Sequence, residues 1–375
     1  MVSVANFFKS LRDDSDPDGM SSAYDGKDRC FLEQPRCAAC YARPVTGLWC
    51  CSRCHTIWYC SSHCQKADYQ FGHKTICLKV ARNRKLVEQE AVPLRDTRLR
   101  PGEEPKNLFE TQVGILGQYY VADTYMLARL NLVKSYWQAA DATENKHVWE
   151  KALFHALELL RLDVSGAPDL LTIIPFILLN LHRDDDAFDF MRYWISIEGE
   201  TMEEIQRLTL QSQEGDWIYP REKDCRYGNM FDTFPSAPYN LDLPLAFFVA
   251  LLIIKCRIVA TYDAIYRSID VAFTTESGLR IQEVQSTVAE MLIDDAVVDI
   301  DSQRQQVDEL VNVIHRHNSI LLPAILNPVP LSTNKEHASS EVAFVFLYSI
   351  RFFYRVPGAK QMLEKRFGKN PSYDL

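Results

Sequence analysis

The chain has 375 residues, 47% of them hydrophobic, and a formal net charge of −9, so it has room for a small module and one large or two modest cores. Its longest apolar run, Leu243–Ile254, lies between Asp242 and Lys255 and is too short to cross a bilayer. We therefore expect a buried helix there and no membrane partner, and the N-terminus has no apolar run of signal-peptide length.

Residues 1–36 are expected to form a flexible acidic leader. They carry five Lys or Arg against seven Asp or Glu, with Pro and Gly and few aliphatic side chains. Such a segment cannot bury enough apolar surface to offset its ordering entropy. Cys30 in this leader is expected to be an ordinary thiol.

Residues 37–77 contain eight potential metal ligands, arranged as four pairs: Cys37 and Cys40, Cys51 and Cys54, Cys60 and Cys64, His73 and Cys77. Zinc binds four Cys or His ligands tetrahedrally, so the count predicts two Zn²⁺ per chain. No Asp or Glu lies between Cys37 and Cys64 to act as a base, which favours structural over catalytic zinc. A disulfide framework is the alternative, but such frameworks belong to small secreted domains. About forty residues cannot bury a sufficient core, so the metal must stabilise this segment.

Spacing alone does not show which pairs share an ion. If consecutive pairs share one, the two sites follow each other along the chain. If alternate pairs share one, the sites form a cross-brace. Cys50, His55 and His63 lie beside ligands without completing a further pair, so we expect a spare thiol and two polar surface positions.

The order of these ligands, in CAAC and CSRCHTIWYCSSHCQKADYQFGHKTIC, resembles the MYND zinc finger over residues 37–77. The resemblance implies a cross-brace with the first zinc on Cys37, Cys40, Cys60 and Cys64, and the second on Cys51, Cys54, His73 and Cys77. Two features depart from the commonest pattern. Tyr69 stands where a Trp is usual, and the stretch from Cys64 to His73 is one residue longer than usual.

The resemblance also implies a function. MYND fingers are protein-interaction modules that take short proline-containing peptides, often along an exposed strand. The positions that contact the peptide in the family correspond here to Ser52, Gln65 and Tyr69. Structural roles compete with this interpretation, because Ser52 could cap the zinc turn and Tyr69 could cover the metal core.

Residues 78–107 are predicted to form a basic helix and a linker that is interrupted by Pro101 and Pro105. Residues 37–101 carry a net charge of +7, which falls to about +4 once two Zn²⁺ and seven thiolates are counted. This is modest for nucleic-acid binding, which remains the alternative for residues 79–100. Lys79, Arg82 and Lys85 recur at three-residue spacing and are expected to form one solvated helix face.

Residues 108–375 are predicted to form an all-α scaffold, since apolar residues recur at helical spacing and strand-type alternation is scarce. The helices are expected to stack in repeat-like, tetratricopeptide-like pairs. Glu214–Pro244, rich in Pro and aromatic residues, is expected to be a loop pinned onto the helices by its rings. The predicted helices are Tyr119–Trp137, Trp149–Leu160, Asp169–His182, Asp186–Ile197, Leu243–Phe273, Ile281–Ile293, Gln303–Leu322 and Ser340–Phe353.

Catalysis is not expected. A lysine methyltransferase with a MYND finger inserted in a SET domain needs a cofactor motif and a late Gly-Glu-Glu…Tyr segment, and neither follows Cys77. The phrases IPFILLNLHRDDDAFDFMRYW and LAFFVALLIIKCRIVATYD resemble fungal and algal MYND proteins with a helical body. We therefore predict a non-catalytic intracellular adaptor, in the cytoplasm or nucleus, that binds proteins or proline-containing peptides.

Overall fold

The computed structural model describes residues 35–42, 44, 47–143, 145–164, 168–201, 203–204, 207, 222–274, 298–328 and 340–373. The predicted leader up to residue 34 and the predicted helix Ile281–Ile293 lie outside this part. The described residues fall into two compact units, one within Arg29–Arg221 and one within Glu222–Leu375. The predicted scaffold 108–375 is therefore divided between the units, and its first half belongs with the finger.

The first unit begins with the finger. Strands β1 (Trp49–Cys50) and β2 (Trp58–Tyr59) form an antiparallel pair in which Trp49 faces Tyr59 and Cys50 faces Trp58. Helix α1 (Ser62–Asp68) follows, and its N-cap Ser61 accepts a hydrogen bond from the Cys64 N–H at 3.2 Å. A π-helical turn (Tyr69–His73) joins it to helix α2 (Lys74–Leu94) without a break.

The rest of the first unit is helical. A short helix α3 (Leu108–Thr111) and two 3₁₀ turns (Leu116–Gln118 and Tyr120–Ala122) lead into α4 (Asp123–Thr143), α5 (Lys146–Leu162), α6 (Pro168–Asn180) and α7 (Asp184–Ser196). Asn145 sets the start of α5, because its side-chain oxygen accepts a hydrogen bond from the His147 N–H at 3.0 Å. Helix α4 packs between α2 and α5, and α6 packs against α5 and α7.

Helix α2 is both the end of the finger and a wall of the helical core. The rings of Trp137 and Trp149 meet edge to face at 4.8 Å between α4 and α5. Further along, a buried cluster joins α2 to the segments around it, and it contains Ala91, Leu94, Leu108, Leu116, Ala122, Tyr125 and Leu162. The finger therefore shares one continuous helix with the hydrophobic core of its unit.

One surface prediction for α2 is partly wrong. Arg82 and Lys85 are exposed as expected. Lys79 instead lies half-buried against α4, where its Nζ donates to Gln138 Oε1 at 2.7 Å. Burial also lowers the pKa of Lys79.

The second unit consists of helices α8 (Met230–Thr233), α9 (Leu245–Thr274), α10 (Ile300–His317), α11 (Leu321–Leu326), α12 (Ser340–Arg355) and α13 (Ala359–Phe367). Helix α9 packs against α10 and α12. Residues 214–221 of the predicted aromatic loop lie outside the described part. From Glu222 onward the loop contains short helical turns, and Met230 and Phe231 are buried.

The all-α prediction for the body is confirmed. Its tetratricopeptide-like repeat character is not, because α4 and α5 have 21 and 17 residues whereas α6 and α7 have 13 each. Tetratricopeptide repeats keep a period of about 34 residues with helices of regular length. The helices pack in consecutive pairs without that regularity.

Leu245–Arg267 within α9 is, among the described residues, the one segment long and apolar enough to cross a membrane. Its most apolar window has a mean hydropathy of 2.0 and is 72% buried inside the unit. A buried core helix passes the same length and composition test, and α9 carries Lys255 and Arg257. The expected buried helix at Leu243–Ile254 is therefore observed.

Candidate metal centre and peptide-binding edge

The eight ligands form two groups of four, and within each group the ligand atoms lie within 4.8 Å of one another. The groups are Cys37, Cys40, Cys60 and Cys64, and Cys51, Cys54, His73 and Cys77. Alternate pairs therefore meet, which confirms the cross-brace and excludes sites built from consecutive pairs.

The spacing of the donor atoms fits zinc. A tetrahedron with Zn–S bonds of about 2.3 Å places its sulfur atoms about 3.8 Å apart, and replacing one sulfur by a nitrogen shortens that edge to about 3.5 Å. The Sγ–Sγ distance is 3.5 Å for Cys40 and Cys60 and 3.8 Å for Cys51 and Cys77. Cys54 Sγ lies 3.5 Å from His73 Nε2. These distances match the edges of a zinc tetrahedron, so the donor sets of both sites fit Zn²⁺.

Backbone hydrogen bonds hold the cysteine turns in shape. The His55 N–H donates to Cys51 O and the Tyr41 N–H to Cys37 O, both at 2.9 Å. His55 and Tyr41 both adopt positive φ, at 58° and 59°. These turns bring the two cysteines of each Cys-x2-Cys segment to the same side of the backbone.

Hydrogen bonds favour the thiolate form that zinc requires at Cys37 and Cys51, whereas a hydrogen bond with Cys40 raises the pKa of Cys60 and burial raises the pKa of Cys77. Burial raises the pKa of Cys37, but the N–H groups of Cys40, Cys60 and Ala39 outweigh it and lower that pKa to about 6. Donation from the Cys54 thiol is the main cause that lowers the pKa of Cys51 to about 3. Metal binding displaces the remaining thiol protons.

Residues outside the ligand set orient the second site. The buried Thr56 hydroxyl donates to Cys54 Sγ at 3.2 Å. The rings of Tyr59 and Tyr69 meet the His73 imidazole edge to face at 6.1 and 6.0 Å. Such contacts fix the rotamer and basicity of a ligand. Neither Thr56 nor Tyr59 is among the predicted site residues, and only their positions close to ligands in the sequence could have indicated them.

The π-helical turn accommodates the additional residue between Cys64 and His73. At this turn the Lys74 N–H donates to Tyr69 O, five residues earlier, where an α-helix would use the carbonyl four residues earlier. One extra residue thus enters the helix locally, and His73 and Cys77 still reach the second site. The longer spacing between Cys64 and His73 therefore leaves both zinc sites intact.

Strand β1 has an open edge. The Cys51 N–H donates to Ile57 O at 2.9 Å, so Cys50 and Trp58 form the non-hydrogen-bonded pair of this ladder. Trp58 O turns away from β1 and accepts from the Ala38 N–H at 3.0 Å. Cys50 correspondingly turns its N–H and C=O away from β2, and no described residue bonds to them.

Of the three predicted peptide contacts, Ser52 lies two residues beyond β1, Gln65 lies on α1 and Tyr69 begins the π-helical turn. Ser52 is exposed and Gln65 is half-buried, and within the described part of the chain neither side chain makes a hydrogen bond. Tyr69 is half-buried, and its hydroxyl accepts from Arg53 Nη1 at 3.2 Å. This bond ties the loop that carries Ser52 to the helix that carries Gln65 and Tyr69.

Comparison with known proteins identifies the module but not the whole chain. The family model of the MYND finger matches residues 36–77. No curated protein and no solved structure matches the chain. Residues 36–77 are therefore a MYND finger with two zinc sites, a type of domain that generally mediates protein–protein interaction.

Proposed function

We propose that this chain is a non-catalytic adaptor whose MYND finger binds short proline-containing peptides by extending strand β1. The observation that carries the proposal is the open backbone edge at Cys50, together with the side chains of Ser52 and Gln65, which make no hydrogen bond to a described residue. An extended peptide would pair with that edge, and its side chains would meet the flanking residues.

The chemistry around the edge suits such a peptide. Main-chain hydrogen bonds supply affinity that does not depend on sequence, while proline reduces the entropy lost when the peptide becomes ordered. Trp49 on β1 is 58% exposed and offers apolar surface to a proline ring. Gln65 can donate to and accept from the peptide backbone.

Tyr69 departs from the family pattern, and it already has contacts inside the finger, because its ring meets His73 and its hydroxyl is bonded to Arg53. Its half-buried position supports a double role, in which one part of the ring covers the second zinc site and another part faces the peptide. Tyr69→Phe should then leave peptide binding nearly unchanged, whereas Tyr69→Ala should weaken it.

A non-catalytic role rests on the closed coordination of both ions, since catalytic zinc keeps a position open for water or substrate. The rival nucleic-acid function for residues 79–100 is less well supported. Lys79 is hydrogen-bonded to Gln138, and Arg84 Nη1 lies 3.4 Å from Arg53 O, so part of the basic segment is used inside the unit. An intracellular location is proposed because zinc-binding thiolates persist in a reducing compartment.

The test is an array of eight-residue peptides with a fixed central Pro-Pro and mixed flanking residues, probed with the zinc-loaded full chain. Gln65→Ala should lose binding to every peptide that the wild type selects, with two zinc ions retained. Gln89→Ala, which removes an exposed glutamine from α2, should bind like the wild type. Selection of no Pro-Pro peptide by the wild type, or equal binding by Gln65→Ala, would contradict the proposal.

A further inference from the structure

Three cations from three different helices surround one half-buried histidine in the first unit. They are Arg84 on α2, Arg129 on α4 and Lys151 on α5, and we call them the cationic cluster. His155 on α5 stacks on the Tyr136 ring with centroids 5.4 Å apart and an interplanar angle of 13°. Burial lowers the pKa of His155 to about 3, and Arg129, Arg84 and Lys151 each lower it further.

The cationic cluster has no carboxylate partner among the described residues, although Arg129 is buried and Arg84 and Lys151 are half-buried. Among the described residues its hydrogen bonds go to neutral oxygens. Arg84 donates to Arg53 O at 3.4 Å, Lys151 donates to His55 O at 2.7 Å, and Arg129 donates to the Tyr125 hydroxyl. Glu88, one turn beyond Arg84, is exposed, acts electrostatically on Tyr136 and forms no ion pair with a described residue. Both oxygens of Glu158 are held by Arg161 at 2.6 Å.

Two buried polar atoms have no hydrogen-bond partner among the described residues. One is Nε of Arg129, a residue that is only 8% exposed, and the other is Nδ1 of the half-buried His155. Burying a polar group without a hydrogen-bond partner costs free energy, and burying a charged group without a partner costs more. Groups of this kind concentrate at binding sites, where a ligand supplies the missing partner.

The negative charge of the second zinc site is too small to balance all three cations of the cluster. The Cys51, Cys54, Cys77 and His73 site carries a net charge of −1 with Zn²⁺ bound. Lys151 is close enough to Cys54 for the thiolate to act on it. Glu88, which acts on the same Tyr136 as Arg84, adds a second negative charge. Two negative charges against three cations still leave an excess of positive charge, which favours an anion in the site.

One member of the cationic cluster, Lys151, lies beside the open edge of β1. Lys151 and Cys50 interact electrostatically, each acting on the other. Cys50 is the residue whose backbone N–H and C=O face away from β2. A peptide paired with this edge would therefore place one of its side chains within reach of the cationic cluster.

We propose that Arg84, Arg129 and Lys151 bind an anionic side chain, a carboxylate or a phosphate, of the peptide that pairs with β1. This inference rests on the proposed peptide-binding function. The free Arg129 Nε and the Arg84 guanidinium supply charge-assisted hydrogen bonds to the anion, and Lys151 supplies a third donor. The partner is thus a proline-containing peptide with an acidic or phosphorylated residue near the prolines.

The experiment uses the zinc-loaded full chain and the Pro-Pro peptides that it selects, each made with Ser, Glu or phosphoserine at every flanking position in turn. At one position, Glu or phosphoserine should bind at least about tenfold more tightly than Ser. Arg129→Gln and Arg84→Gln should remove that difference and leave the Ser peptide bound as before. Arg82→Gln is the matched control for Arg84→Gln, because it removes an exposed arginine from the same helix, α2, and should keep the preference for Glu or phosphoserine. If Glu increases the affinity of the peptide more than phosphoserine does, the anion is a carboxylate; if phosphoserine increases it more, the anion is a phosphate.

Equal affinity for Ser, Glu and phosphoserine at all positions would overturn the inference, as would an equal preference in Arg129→Gln and Arg84→Gln. Zinc content and thermal unfolding show whether each variant is folded. If Arg129→Gln does not fold, Arg84→Gln alone tests whether the cationic cluster binds the anion. Cluster-dependent binding of a 20-base-pair DNA duplex, without any preference among peptides, would assign the cluster to nucleic acid.

Inorganic phosphate separates failure of the inference from failure of the proposed function. If no Pro-Pro peptide binds but phosphate raises the melting temperature of the wild type and not of Arg129→Gln, the cluster is an anion site and the peptide function is wrong. If peptides bind through Gln65 without regard to charge, the peptide function stands and the inference is wrong.

Discussion

Lys255 allows a quantitative prediction about the second unit. Its side chain is 1% exposed, and its Nζ donates to Gly228 O at 2.6 Å, Arg226 O at 2.7 Å and Gln303 Oε1 at 3.0 Å. These bonds tie the segment before α8 to α9 and α10. Burial lowers the pKa of this lysine to about 7 from an ordinary value of 10.5.

The sign of the pH dependence follows from this shift. Above about pH 7 the folded state releases the Lys255 proton, while the unfolded state keeps it up to about pH 10.5. Because the unfolded state then binds more protons, the free energy of unfolding rises with pH in this window and approaches a slope of about 1.4 kcal/mol per unit. Integration between pH 7 and pH 9 gives a gain of about 2 kcal/mol.

The assay is guanidinium unfolding of the full chain at pH 7 and pH 9, followed by far-ultraviolet circular dichroism. All six tryptophans precede residue 222, so their fluorescence marks the first unit and separates its transition from that of the second. Relative to Lys255→Met, the wild-type second transition should gain about 2 kcal/mol over this range. Lys365→Met removes an exposed lysine from the same unit and should follow the wild type. Parallel pH dependence in the wild type and Lys255→Met would refute the reasoning.

Two substitutions test the packing of the first unit and its second zinc site. A Cβ at Gly117 would lie 2.0 Å from Asp163 Oδ2, so Gly117→Ala should lower the free energy of unfolding by about 1–3 kcal/mol in tryptophan-detected melts. Gly72→Ala, where a Cβ meets nothing within 4 Å, should cost far less; equal losses would contradict the account. Thr56→Val removes the hydroxyl that donates to Cys54 Sγ. It should weaken zinc at that site by about tenfold in chelator competition, and unchanged affinity would show that this hydrogen bond is unimportant.

The metal centre was largely predictable because its information is local. Cys37 to Cys77 spans about forty residues, and the type and order of the ligands determine the sites once the family resemblance supplies the pairing. The additional residue before His73 was visible in the sequence, but its accommodation as a π-helical turn was not. A helix can absorb an insertion in several ways, and the choice depends on where its two ends are anchored.

The remaining features depend on tertiary packing. Arg84, Arg129 and His155 lie on three helices far apart in sequence, and no local pattern brings them together. Lys79 was expected on a solvated face because three-residue spacing shows that side chains share a face but not what covers it. Helix positions were predictable from apolar periodicity. The division of the body at residue 222 depends on long-range contacts, which periodicity does not report.

The central claim, a single module cross-braced by two zinc ions, is tested most directly by counting zinc in two double variants by native mass spectrometry under chelator competition. Cys37→Ser with Cys60→Ser damages one site of the cross-brace, so one zinc should remain. Cys37→Ser with Cys51→Ser damages both sites, so none should remain, while the wild type keeps two. The reverse outcome for the two double variants would show that consecutive pairs share each ion and would contradict the account.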